Sequence, residues 1–220
     1  TEEIAAALSK AETLTEVEDI YRPYKQKRKT RATVAAAKGL EPLADILLAQ
    51  NVTTGTAESL AEPFVIADKG VNDVKDALSG AEDIIAERVS DDAELRKKLR
   101  RIYLKNAEIT TRLTKSEDDA AKTYEMYADY GESVADIKPH RVLAINRGES
   151  EGYLKVKISV DEAFAIRVCE TFFLKEGSVT TANVKTAVAD AYKRLIQPSI
   201  EREVRSYLTE NAQEQAIKMF

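Results

Sequence analysis

One cysteine, one histidine and no tryptophan leave these 220 residues little for redox, metal or nucleophilic chemistry. The single Cys169 excludes an internal disulfide framework and fits a reducing compartment such as the cytoplasm. With His140 as the only imidazole, a zinc-type ligand cluster cannot be assembled. No G-x-x-x-x-G-K-S/T, G-x-G-x-x-G or G-x-S-x-G signature is present. Aromatics make up only 6% and there are 8 glycines, too few aromatic and turn residues for a β-sandwich. No run of eighteen apolar residues occurs, which excludes a transmembrane helix.

Charge is abundant at 32%, and it is sorted along the chain. The first twenty residues hold six acids against Lys10, whereas Tyr21 to Lys38 holds seven cations and no acid. The net charge of the chain is −5, so any contact with a polyanion must be local. Arg22, Lys25, Lys27, Arg28, Lys29 and Arg31 are the candidate contacts, interleaved with Tyr21 and Tyr24, which could stack on bases. A solvated loop is the other account of the same run. Tyr21 closes the apolar stripe Val17, Ile20, Tyr21 and is expected to pack inward. A second cluster, Arg96, Lys97, Lys98, Arg100 and Arg101, reads as a solvated helix face balanced by nearby acids.

Periodicity predicts a mainly α chain, a multi-helical array with one small antiparallel β-hairpin and a long C-terminal helix interrupted at Pro198. Thr15-Glu16-Val17-Glu18 has the form of a capping box, with a short helix ending before Pro23. Arg31 to Lys38 is Ala-rich and helical, Gly39 suits a left-handed cap, and Pro42 suits the next first turn. Val74, Leu78, Ala81, Ile85 and Val89 mark a long helix, and Asp91-Asp92 starts another carrying Leu95, Leu99 and Ile102. Val142 to Ile145 reads as a short apolar strand and Tyr153 to Val160 alternates, giving the hairpin over 140–160. Val184, Val188, Ala191 and Leu195 restart the helical pattern, with a kink or break expected at Gln197. The boundaries predicted are a helical region 1–139 with its basic loop at 22–31, the hairpin 140–160, and a helical segment 161–220. A start without Met and an end without a helix stop signal read as an excised piece of a longer protein.

His140 reads as a structural hydrogen-bonder and Cys169 as a buried small hydrophobe. The acidic pairs Asp91-Asp92, Asp118-Asp119 and Asp161-Glu162 suit helix starts, where they offset the dipole. No catalytic residue, metal ligand or cofactor is expected in this chain, and it is not expected to be an enzyme.

Three segments carry a family resemblance. Val17 to Lys25, with Arg28 to Ala32 and Lys38 to Ala44, resembles a segment of the bacterial transcription-accessory Tex proteins. His140 to Gly148 resembles a second segment of that family, and Ala81 to Arg88 lies between them in the family's order. Such proteins are similar to the core of eukaryotic transcription elongation relatives. The resemblance implies a cytoplasmic, RNA-binding or DNA-binding protein of transcription, working mostly through domains that would lie outside this chain. A ribonuclease-H-like domain would follow residue 220, and the chain would be a helical scaffold with a basic patch. The alternative function is a protein–protein scaffold that docks transcription machinery without touching nucleic acid.

Overall fold

The computed structural model describes residues 2–25, 29–114 and 119–218, and the chain is mainly α. In chain order come α1 (Glu2–Leu8), α2 (Leu14–Tyr21), α3 (Arg31–Ala37), α4 (Glu41–Ala49) and α5 (Ala57–Ala61). Then follow α6 (Val74–Ser90), α7 (Ala93–Asn106), β1 (Glu108–Leu113), β2 (Asp129–Ser133), α8 (Pro139–Ser150) and β3 (Leu154–Ser159). The last elements are α9 (Glu162–Phe173), α10 (Thr181–Asp190) and α11 (Gln197–Lys218). Contacts divide the chain into two units, residues 1–97 with 165–196 and residues 98–164 with 197–220.

In the first unit, α3, α4, α5 and α10 all pack on α6. Gly80 lets them approach: a Cβ there would lie 2.4 Å from Leu40 Cδ1 and 3.4 Å from the Ala35 Cβ. Ala32 and Ala35 on α3 keep that contact shallow, and Leu43, Leu47, Ile85, Val89, Val184 and Val188 fill the core. Each such aliphatic side chain contributes about 1.5–3 kcal/mol by leaving water. Gln50 ends α4 in the left-handed region at φ 51°, uncommon for a residue with a Cβ. Its amide compensates, with Nε2 donating to the Phe173 carbonyl at 2.7 Å and Oε1 accepting from the Lys175 N–H at 3.0 Å.

The second unit is built on a three-stranded antiparallel sheet of order β2-β1-β3. Ile109, Thr111, Leu154 and Ile158 point inward, and α8 and α11 pack against β3. Gly148 on α8 makes that approach possible, because a Cβ there would lie 2.6 Å from Leu154 Cδ1.

The expected mainly α architecture, small antiparallel β element and long C-terminal helix are all present. The β element differs from the expected hairpin over 140–160. Val142 to Ile145 lies in α8, whose first turn holds Pro139, while only Leu154–Ser159 is a strand. A short apolar run does not distinguish a strand from a buried helical turn; Val142, Ile145 and Gly148 all bury at spacing three. The partner of β3 is β1, whose β-branched run Ile109-Thr110-Thr111 was the strand signal. The interruption near Pro198 takes the form of a π-helical stretch, Ala191–Ile196, before α11. The wider winding accommodates a residue that lacks an N–H and whose ring crowds the preceding turn.

Candidate nucleic-acid interface

The basic run leaves α2 through a 3-10 turn, Arg22–Tyr24, with Pro23 inside it. The cap of α2 is Thr13, two residues before the expected Thr15, and its hydroxyl accepts from the Glu16 N–H at 3.2 Å. The same Thr-x-x-Glu signature occurs twice in Thr13 to Glu18, and the earlier copy is the one used. Arg22 is half-buried, and Lys25, Lys29 and Arg31 are exposed. Lys27 and Arg28 lie outside the described residues.

The start of α3 is fixed by a reciprocal cap. The Thr30 N–H donates to Thr33 Oγ1 at 2.8 Å and the Thr33 N–H donates to Thr30 Oγ1 at 3.1 Å. Arg31 therefore starts α3 in a defined orientation. Lys29, Arg31 and Lys38 border a cleft of about 480 Å³ against α6, whose Asp76 and Asp83 supply two opposing carboxylates. Burial pushes the Asp83 carboxyl up, and Arg194 and Arg31 partly offset this. Lys38 is tied down, donating to the Gly70 carbonyl at 2.8 Å. On the other side of α3 a cleft of about 470 Å³ is lined by Glu41, Glu87, Asp91 and Asp92 around Arg88. The exposed cations thus sit at one edge of a mixed surface.

Tyr21 does not pack inward. It is 57% exposed and Tyr24 is 60% exposed. The inward side of α2 instead carries buried Asp19, with Glu16 and Ile20 half-buried, while Glu18 is exposed. Asp19 is 4% exposed and accepts from Arg96 Nε at 2.9 Å, while Glu16 meets Lys97 Nζ at 2.7 Å. Arg96 is fully buried, so the second cation cluster is not wholly a solvated face. Its sequence signal is the spacing Arg96, Leu99, Tyr103, which puts the guanidinium on the buried stripe of α7.

The remaining candidates fall where helices need them. Asp92 Oδ1 accepts from the Leu95 N–H at 2.7 Å and Asp161 Oδ1 from the Phe164 N–H at 2.5 Å, both at helix starts. Asp118 lies outside the described residues. Cys169 is fully buried in α9, and burial pushes its thiol up to about 12, which leaves it unreactive near neutrality. His140 is exposed in the first turn of α8, where a strand entrance had been expected. Among the described residues no helix is long and apolar enough to cross a membrane.

A family model described as "Tex central region-like" matches residues 53–220. The chain belongs to the Tex family. Its relatives extend the match to the N-terminal residues that carry the basic run. YdcI of Bacillus subtilis is 44% identical over 100% of this chain and 31% of its own length. The protein tex of Bordetella pertussis is 31% identical over 100% of this chain and 29% of its own. The human S1 RNA-binding domain-containing protein 1 is 27% identical over 97% of this chain and 22% of its own. This Tex-family chain therefore spans less than a third of the length of these relatives.

Proposed function

We propose that this chain is a helical scaffold within a transcription-accessory, nucleic-acid-binding protein and that it adds a cationic contact of its own. The observation that carries the reading is the exposed set Lys25, Lys29 and Arg31, the first just after the Arg22–Tyr24 turn and the other two at the Thr30-capped start of α3. A group of exposed cations neutralises phosphates without reading sequence, which is a positioning contact. The transcription setting is supported by the name of a relative, the transcriptional accessory protein Tex of Neisseria gonorrhoeae. RNA or DNA is the ligand in this reading, the setting is cytoplasmic, and no chemistry is assigned to the chain itself.

Fluorescence anisotropy with a labelled oligonucleotide across a salt series tests it. Each neutralised phosphate contributes a log–log slope of about −0.7 on single strands and about −0.9 on duplex. A slope equivalent to several phosphates that flattens on neutralising Lys25, Lys29 and Arg31 supports the contact. Absence of binding at low salt leaves a protein-docking scaffold in its place.

A further inference from the structure

We infer that the solvent face of the three-stranded sheet is a second phosphate contact, on which Arg112, Lys155 and Lys157 take the backbone of duplex nucleic acid without reading its sequence. This rests on the nucleic-acid reading above for its setting and uses none of the residues of the turn after α2.

The pleat sorts the residues. On β1, exposed Arg112 and half-buried Thr110 alternate with buried Ile109 and Thr111, and on β3, exposed Lys155 and Lys157 alternate with buried Leu154 and Ile158. The register sets Arg112 directly opposite Lys155, and Thr110 opposite Lys157. Like charges directly opposite destabilise a sheet, and the diagonal pair Arg112 and Lys157 lies within about 7–8 Å. The acids of this face do not cancel the repulsion. Asp129 stands opposite Arg112 on the other side of β1, yet among the described residues no carboxylate pairs with Arg112, Lys155 or Lys157. Glu108 leans over β2, where Gly131 leaves room for it: a Cβ there would lie 2.5 Å from Glu108 Oε1.

Three unpaired cations held side by side against their own repulsion call for an anion that spans them. The rest of the face decides which one. Thr110 and Gly131 occupy its middle, and no aromatic or large apolar side chain lies on it. An unpaired strand therefore finds no ring on which to stack its bases. An acidic protein segment finds no apolar or aromatic anchor of the kind that carries protein interfaces. Duplex needs neither. It keeps its bases inside and presents one phosphate charge per about 1.7 Å of axis, which cations alone can meet.

The test measures anisotropy of the 220-residue chain with a labelled duplex, a pyrimidine single strand and polyglutamate, each over a salt series. Replacing Arg112, Lys155 and Lys157 together by Gln should weaken duplex binding roughly tenfold or more at low salt and lower its log–log slope by about 2. The charge-conserving variant, Arg112→Lys with Lys155→Arg and Lys157→Arg, should bind as the parent does. Because the cations repel one another, the Gln variant should melt no lower than the parent, which separates a lost contact from a lost fold. An unchanged duplex slope, or a lower melting temperature of the Gln variant, overturns the inference. So does a loss on single strand as large as on duplex, and so does an equal loss on polyglutamate, which would assign the face to an acidic protein. The turn is read separately. If neutralising Lys25, Lys29 and Arg31 flattens the slope and the sheet variant does not, the reading of the turn stands and the sheet contact falls. The opposite result keeps the sheet contact and removes the turn.

Discussion

Arg96 to Arg101 packs five cations into six residues, and Lys25 to Arg31 places five in seven, yet the two runs meet different environments. In the first, Arg96 is fully buried on Asp19, Lys97 meets Glu16 and Arg100 meets Glu203. In the second, the described residues Lys25, Lys29 and Arg31 are exposed. The difference is the backbone beneath them. Helix α7 is anchored by Leu95, Leu99 and Tyr103, so each cation takes a fixed azimuth and some must point at a neighbour. Pro23 and the extended backbone of Lys25 (φ −67°, ψ 129°) end the helix before the other run, and no apolar period draws its cations inward. Helix α7 makes part of its charge run structural, whereas Lys25 and Lys29 lie outside any helix and stay exposed.

The largest effect that would sharpen this contrast is on stability. Arg96→Met takes the guanidinium away from buried Asp19 and should cost about 3–5 kcal/mol in urea denaturation. Adding Asp19→Leu should restore most of that loss. A cost under about 1 kcal/mol for the single variant would mean that water reaches the pair, erasing the distinction between the runs. Neutralising Lys25, Lys29 and Arg31 to Gln should do the reverse. Stability should move by no more than about 0.5 kcal/mol, whereas the single-strand salt slope should fall by about 2.

A smaller effect lies in the pH dependence. The Lys97 ammonium, followed by the Glu12 N–H, holds the Glu16 carboxyl down at about 2, below its ordinary 4.5. A lowered acid contributes stability that is present above 4.5 and lost as pH falls from there toward 2. Glu16→Gln should therefore flatten the acid limb of thermal melts between those values, and an unchanged limb would remove Glu16 from it. Glu82 and Asp83 have the opposite sign, since burial raises both, and their contribution is lost as pH rises above the ordinary carboxylate range. The smallest effect belongs to exposed Lys98 and Arg101, whose replacement by Gln should change melting within about 0.5 kcal/mol. A larger change would show that these outward cations also have structural partners.

Local signals are legible where one residue decides a backbone event. Gly39 takes φ 84° after α3, Pro42 opens α4 and Asp92 caps α7. The hairpin was misplaced because Val142 to Ile145 is too short a run to carry a period, and β1 pairs with β3 across more than forty residues. Tyr21 was misplaced for another reason. Apolar spacing identifies a stripe, and it does not say whether the stripe meets protein or water.

The sequence by itself determined the helical class, the helix boundaries at Gly39, Pro42 and Asp92, the absence of a disulfide framework and the location of the cation-rich run. These depend on residues within a few positions of each other, or on a residue type that is scarce throughout the chain. The tertiary structure alone decided that α2 turns Asp19 inward, that Arg96 is buried, and that Gln50 holds a left-handed cap through Phe173 and Lys175. Those outcomes depend on partners 77, 123 and 125 positions away. A buried charge or a strained cap is stable only when such a partner arrives to satisfy it.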